Sequence, residues 1–193
     1  MNVFHHKTAL LVLAAVIVGA CVMFGASPDF TAMPEAKLKA AIKRLDSQIL
    51  RVELEAYNDR DVPIIDFRTT PARYRSEANE LFTDMEDIKD LARHVVTAKG
   101  SERFAGLTVV LNVPDDQYTG ELVDIPVLSL HWRMETLSAM DWKTIRGWRF
   151  LELYDSQVAE HPLAGRLIGA YCYLDHGYNA GYCKKIEERS GPR

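Results

Sequence analysis

Cysteine is nearly absent from this chain, with three in 193 residues, and positive charge is never in surplus. So few cysteines exclude a disulfide-dense scaffold. Lys plus Arg number 23 against 27 Asp plus Glu, a formal charge of −4. No basic excess supports nucleic-acid binding, and none is expected. The eleven glycines are dispersed and build no phosphate-binding loop. G-x-S-x-G, HExxH and EF-hand patterns are missing as well, as are repeats and low-complexity tracts. What remains is 48% hydrophobic and 26% charged residues, the balance of one globular domain with a real core.

The hydrophobicity is unevenly spread. Ala9 to Ala26 reads ALLVLAAVIVGACVMFGA without a charge, preceded only by His5, His6, Lys7 and the amine. A short, weakly basic start before such a run reads as a signal anchor, a lipoprotein signal or a cleaved signal peptide. The run is also long enough to cross a bilayer as a helix. Val18-Gly19-Ala20-Cys21 resembles a bacterial lipobox, which makes Cys21 a lipidation candidate. Val22, Met23 and Phe24 extend the apolar run where a lipoprotein tether is normally polar, which favours an uncleaved anchor over lipidation. Cleavage fits least, because Phe24 stands where a small residue is wanted. Residues 9–26 are therefore the expected membrane contact. Lys37, Lys39, Lys43 and Arg44 after the run argue for retention in the cytoplasm. The short leading tail argues for export, which we favour, with the domain on the periplasmic side of a bacterial inner membrane.

Cysteine placement points the same way. Cys172 and Cys183 bracket YLDHGYNAG, and a disulfide between them is expected in an oxidising compartment. Metal is not expected: only His176 lies between them, and four ligands are needed. No cofactor is expected either.

The rest divides into a linker over 27–33, an α+β domain over 34–183 and a flexible tail over 184–193. Pro34 starts a helix reaching about Ser47. From about Ile49 to Tyr57 apolar and polar residues alternate as in a half-buried strand. VPIIDF reads as an edge strand, because Pro63 cannot donate to a ladder. Ser76 is placed to cap a helix carrying Ala78, Leu81, Phe82, Met85, Ile88, Ala92 and Val95, ended by Gly100. Glu77, Glu80, Asp84 and Asp87 would form its solvated face. LTVVLNV and IPVLSLHWRME are two strands. Ser138 with Asp141 resembles a capping box for a short helix with Trp142 and Ile145. Trp148 to Val158 fits helix or strand, and Leu163, Leu167, Tyr171 and Leu174 mark one last helix. Mixed elements without strict alternation imply a single α+β domain: a mostly antiparallel sheet with helices on one face.

Functional signals are sparse. Tyr173, Tyr178 and Tyr182 in the cysteine loop are expected to form a recognition surface, since tyrosine offers large contact area at low entropy cost. Asp175-His176 is the place where a carboxylate could orient an imidazole for general-base work, though such residues beside glycine also serve turns. The expected function is a membrane-tethered, extracytoplasmic, non-catalytic binding or assembly protein with a protein partner in the cell envelope. The alternative is an envelope enzyme, hydrolase-like, with a dispersed site drawing on His176, Asp175 or His131.

Overall fold

The computed structural model describes residues 28–70, 81–115, 123–174 and 180–190. Ordered along the chain are α1 (Glu35–Lys43), β1 (Ile49–Tyr57), β2 (Arg60–Arg68), α2 (Met85–Thr97), β3 (Gly106–Asp115), β4 (Val123–Arg133), α3 (Met134–Ser138), α4 (Gly147–Glu152), β5 (Ser156–Ala159), α5 (Leu163–Leu174) and α6 (Ala180–Ser190). The strands form one sheet in the order β1-β2-β3-β4-β5. Only β2 and β3 run parallel; the other neighbours are antiparallel. The α+β architecture with a mostly antiparallel sheet is thus present.

Alternation along β3 and β4 sets the core. Leu107, Val109, Leu111 and Val113 are buried from one strand, and Leu128, Leu130 and Trp132 from the next. Against that face lie Leu81, Phe82, Met85, Ile88, Leu91, Ala92 and Val95 from α2 and the segment before it. The helical spacing in the sequence identified most of these. Trp132 is fully buried, stacks on Phe150 with centroids 4.5 Å apart, and donates its indole N–H to the Phe150 carbonyl at 3.2 Å. An indole buried with its polar edge satisfied contributes both area and orientation.

Several expectations need correction. β2 is no edge strand: it lies between β1 and β3, and Pro63 is tolerated because the parallel register with β3 begins only at Ile64. α2 starts at Met85, and the proposed cap Ser76 lies outside the described residues, as do Ala78, Glu77 and Glu80. Asp84 is buried, not solvated: its carboxylate accepts the Thr70 backbone N–H and hydroxyl, tying the end of β2 to the start of α2. Ser138 ends a helix and starts none; Asp141 instead closes a turn through Lys143 N–H and Thr144 Oγ1. Trp148 to Val158 is both alternatives in succession, α4 then β5.

The expected linker and tail are also structured where described. Phe30 is fully buried and edge-on to Phe104, and its N–H donates to the Lys99 carbonyl at 2.7 Å. Arg103 pairs with Asp61 and donates to the carbonyls of Phe30 and Met33. Gly100, at φ +85°, brings the backbone against Thr31, where a Cβ would lie 2.3 Å from the Thr31 nitrogen. Near the other end, α6 is helical through Ser190, with the Lys185 ammonium held by the carbonyls of Glu152 and Tyr154. Among the described residues no helix is long and apolar enough to cross a membrane, and the hydrophobic run 9–26 with Cys21 lies outside them.

Candidate functional site

Cys172 near the end of α5 and Cys183 in α6 are joined by a disulfide with Cα atoms 5.5 Å apart. The tyrosines around it separate. Tyr182 is fully buried: its ring meets Phe82 at 5.1 Å and Tyr154 at 5.7 Å, and its hydroxyl donates to Gln157 Oε1. Burial pushes its phenol pKa far up. Tyr182 therefore belongs to the core and offers no recognition surface. Tyr182, Cys183 and Ile186 share one face of a helix, a spacing the sequence contains but that a loop reading hides. Tyr173 is 76% exposed. Tyr178, Asp175 and His176 lie outside the described residues.

A second concentration of polar groups lies on the sheet face opposite the core. The registers align Glu53, Ile64, Thr108, His131 and Ser156 in one row across all five strands. Alternation places Val62, Gly106 and Arg133 two residues along, toward one end of the sheet. A cleft of about 580 Å³ opens there, lined in part by Tyr57, Arg60, His131, Arg133, Asp155 and Ser156.

The cleft is organised by two anchored side chains. Asp155, just before β5, accepts the Arg133 backbone N–H at 2.7 Å, the Arg133 Nε at 2.8 Å and the Thr136 hydroxyl at 2.9 Å. Burial works to raise its pKa, but these donors outweigh it and hold the carboxyl below its usual range. The imidazole of His131 is fixed through Nδ1, 3.0 Å from Thr108 Oγ1. Burial lowers its pKa, with Asp155 opposing and Arg133 assisting, so the ring is neutral at pH 7. Gly106 makes room for it: a Cβ there would come within 2.8 Å of His131 Cε1 and 2.6 Å of the Trp132 carbonyl. Arg60 is held more loosely, its guanidinium 3.8 Å from Glu135 across an exposed pair.

No family model matches the chain, and no curated protein or solved structure matches it. Function must therefore be argued from the chain itself. Among the described residues no group of three metal-ligating side chains converges. The cleft combines an oriented neutral imidazole, two guanidinium groups and a serine hydroxyl beside an apolar wall. The sequence reading named His131 as a candidate for a dispersed site but gave it no neighbours. Its partners Thr108 and Ser156 are brought to it by strand register alone.

Proposed function

We propose that this chain is an exported, membrane-tethered binding or assembly protein of the cell envelope, non-catalytic, held by residues 9–26. On this reading the helices cover one sheet face and the disulfide-bearing α5–α6 region presents Tyr173 to a protein partner, with Tyr178 a further candidate from the sequence. The observation that carries the reading is the Cys172–Cys183 bond. Structural disulfides persist in oxidising compartments and are rare where thiols are kept reduced. An alkaline phosphatase fused after Arg193 tests the address: activity is expected, and an inactive enzyme beside an active cytoplasmic reporter refutes it. Affinity capture from solubilised membranes tests the partner. Loss of captured protein on Tyr173→Ala, with folding intact, is the expected result.

A second reading, an envelope hydrolase, draws on one arrangement: Ser156 lies directly across the β4–β5 ladder from His131. A neutral imidazole beside a hydroxyl is the pairing that general-base activation of a nucleophile uses. Covalent labelling of Ser156 by an alkyl fluorophosphonate, lost in His131→Gln, would favour this reading over the first.

A further inference from the structure

We propose that the cleft between Arg60 and Arg133 binds a small organic oxyanion, a carboxylate or phosphate head on an apolar body. The inference goes beyond the tethered reading and does not depend on the compartment. It rests on which hydrogen-bonding groups around the cleft are spent and which are left over.

The acceptor beside Arg133 is spent. Both oxygens of Asp155 are occupied, Oδ1 by Arg133 Nε and Oδ2 by the Arg133 N–H and Thr136. Its charge orients Arg133 and leaves little to offer a ligand. The donors are left over. Among the described residues nothing takes the Nη nitrogens of Arg133, whose guanidinium is fixed by Asp155 through Nε and stays 65% exposed. A guanidinium locked on one side and open on the other is preorganised for forked recognition of a planar or tetrahedral oxyanion. Arg60 adds a second guanidinium. Its 3.8 Å pairing with Glu135 is loose and exposed, the kind of ion pair that contributes little and exchanges readily. An arriving anion replaces Glu135 at Arg60 without leaving a buried charge bare. The His131 ring, held by Thr108 at Nδ1, keeps its Nε2 edge for a further polar contact.

Geometry brings these groups together. β2, β3 and β4 are neighbours, and Arg60 lies two residues beyond Val62, which shares a row with Gly106 and Arg133, so the two arginine backbones stand about 12 Å apart. The strand between them contributes Gly106, which has no side chain to fill the gap and which the His131 ring makes obligatory. Val62 and Ala105 supply an apolar floor, and Tyr57 a flanking ring. The volume of about 580 Å³ suits a small molecule and is far too small for a folded partner. The same head chemistry exists on free small molecules and on anionic lipids, and the test separates them.

The full chain is reconstituted in nanodiscs of zwitterionic lipid and titrated calorimetrically with phenyl phosphate and with benzoate. Benzyl alcohol serves as the uncharged control. Saturable binding of at least one anion is expected, at about 0.1–1 mM for probes of this size, with none for benzyl alcohol. Arg60→Gln, an exposed position whose loss does not disturb the sheet, should weaken binding at least tenfold. Arg133→Gln should do the same, and the distant Lys143→Gln should change nothing. Repeating the titration in nanodiscs containing phosphatidylglycerol distinguishes the source. Unchanged binding assigns the cleft to a soluble anion, whereas loss of probe binding assigns it to the lipid headgroup. Absence of saturable binding by both anions, equal binding of benzyl alcohol, or indifference to both arginine variants overturns the proposal. Reduced thiols in native material would refute export and leave this result standing.

Discussion

Removing the Cys172–Cys183 bond gives the most direct quantitative test of how the C-terminal region is held. The two cysteines are eleven positions apart, so the bond closes a short loop. In the chain-entropy model a loop of this length stabilises by about 3 kcal/mol, through restriction of the unfolded chain. For a domain of this size that corresponds to a fall in Tm of about 6–12 °C. The double substitution Cys172→Ala/Cys183→Ala is the cleanest perturbation, because Cys183 is buried and alanine adds no polar group there. Urea unfolding of the oxidised chain and of the variant, followed by far-UV circular dichroism, measures the difference. Packing competes with the bond as the cause of order. Leu167, Tyr171 and Tyr182 are all buried, the two tyrosine rings against Phe82. If those contacts suffice, the midpoint barely moves, and a change below about 1 kcal/mol refutes the entropic argument. Hydrogen exchange adds a second readout. Loss of protection confined to α5 and α6 would show that the bond sets a local opening energy and not the global one.

Three further outcomes follow from the packing and the charges. Trp132→Ala should destabilise by about 3–5 kcal/mol, since it empties the stack on Phe150 and removes the indole hydrogen bond to its carbonyl; a loss under about 1 kcal/mol in urea melts would mean the site collapses freely. Gly100→Ala forces a side chain into left-handed backbone and into Thr31, so a loss exceeding about 1 kcal/mol is expected, and wild-type stability would contradict the geometry. Acid should destabilise in two windows. His131 has a folded pKa below its unfolded 6.5, so the unfolded chain takes up the proton first and stability falls as pH drops below 6.5 until the folded ring also titrates. Asp155, depressed from 3.8, contributes fully above 3.8 and loses its contribution as pH falls through its lower folded value. Urea midpoints across pH, with His131→Gln flattening the upper window, check both signs.

Much of the fold was legible because period and burial coincide. α1 and β1 were separable by the change from helical to alternating spacing near Ile49, and β3 and β4 stood out as β-branched runs. The misses have physical causes. Pro63 marks an edge by propensity, yet a parallel neighbour that begins one residue later accommodates it in the sheet interior. The α6 residues KKIEER read as a solvated end, whereas Lys185 is drawn in by two carbonyls and sits 4.0 Å above the Tyr154 ring. The cleft was illegible for a different reason. Thr108 and His131 are 23 positions apart, and nothing local to either residue encodes that they share a row. Register does, and register follows from the whole sheet.

The N-terminal attachment changes what a tether can mean for this domain. Asp29 pairs with Lys99 at 2.9 Å, and that hydrogen bond, with Thr31, holds the carboxyl down to about 2. One residue later the chain enters the core as Phe30. On the anchored reading proposed above, only Ser27 and Pro28 separate the span ending at Ala26 from this latch. Three residue steps reach about 10 Å at full extension, so the end of the domain bearing Asp29 and Lys99 would stand at the headgroups. The cleft belongs to that same end of the sheet, since Arg103, which clamps Phe30 and Met33, also grips Asp61 beside Arg60. A long flexible linker would let the domain search for ligands and partners; a latched one confines the search to a thin layer above the membrane. Any partner of the tethered chain must then come to the bilayer surface, which is why capture of the full chain from solubilised membranes is a stricter test than capture by a soluble fragment.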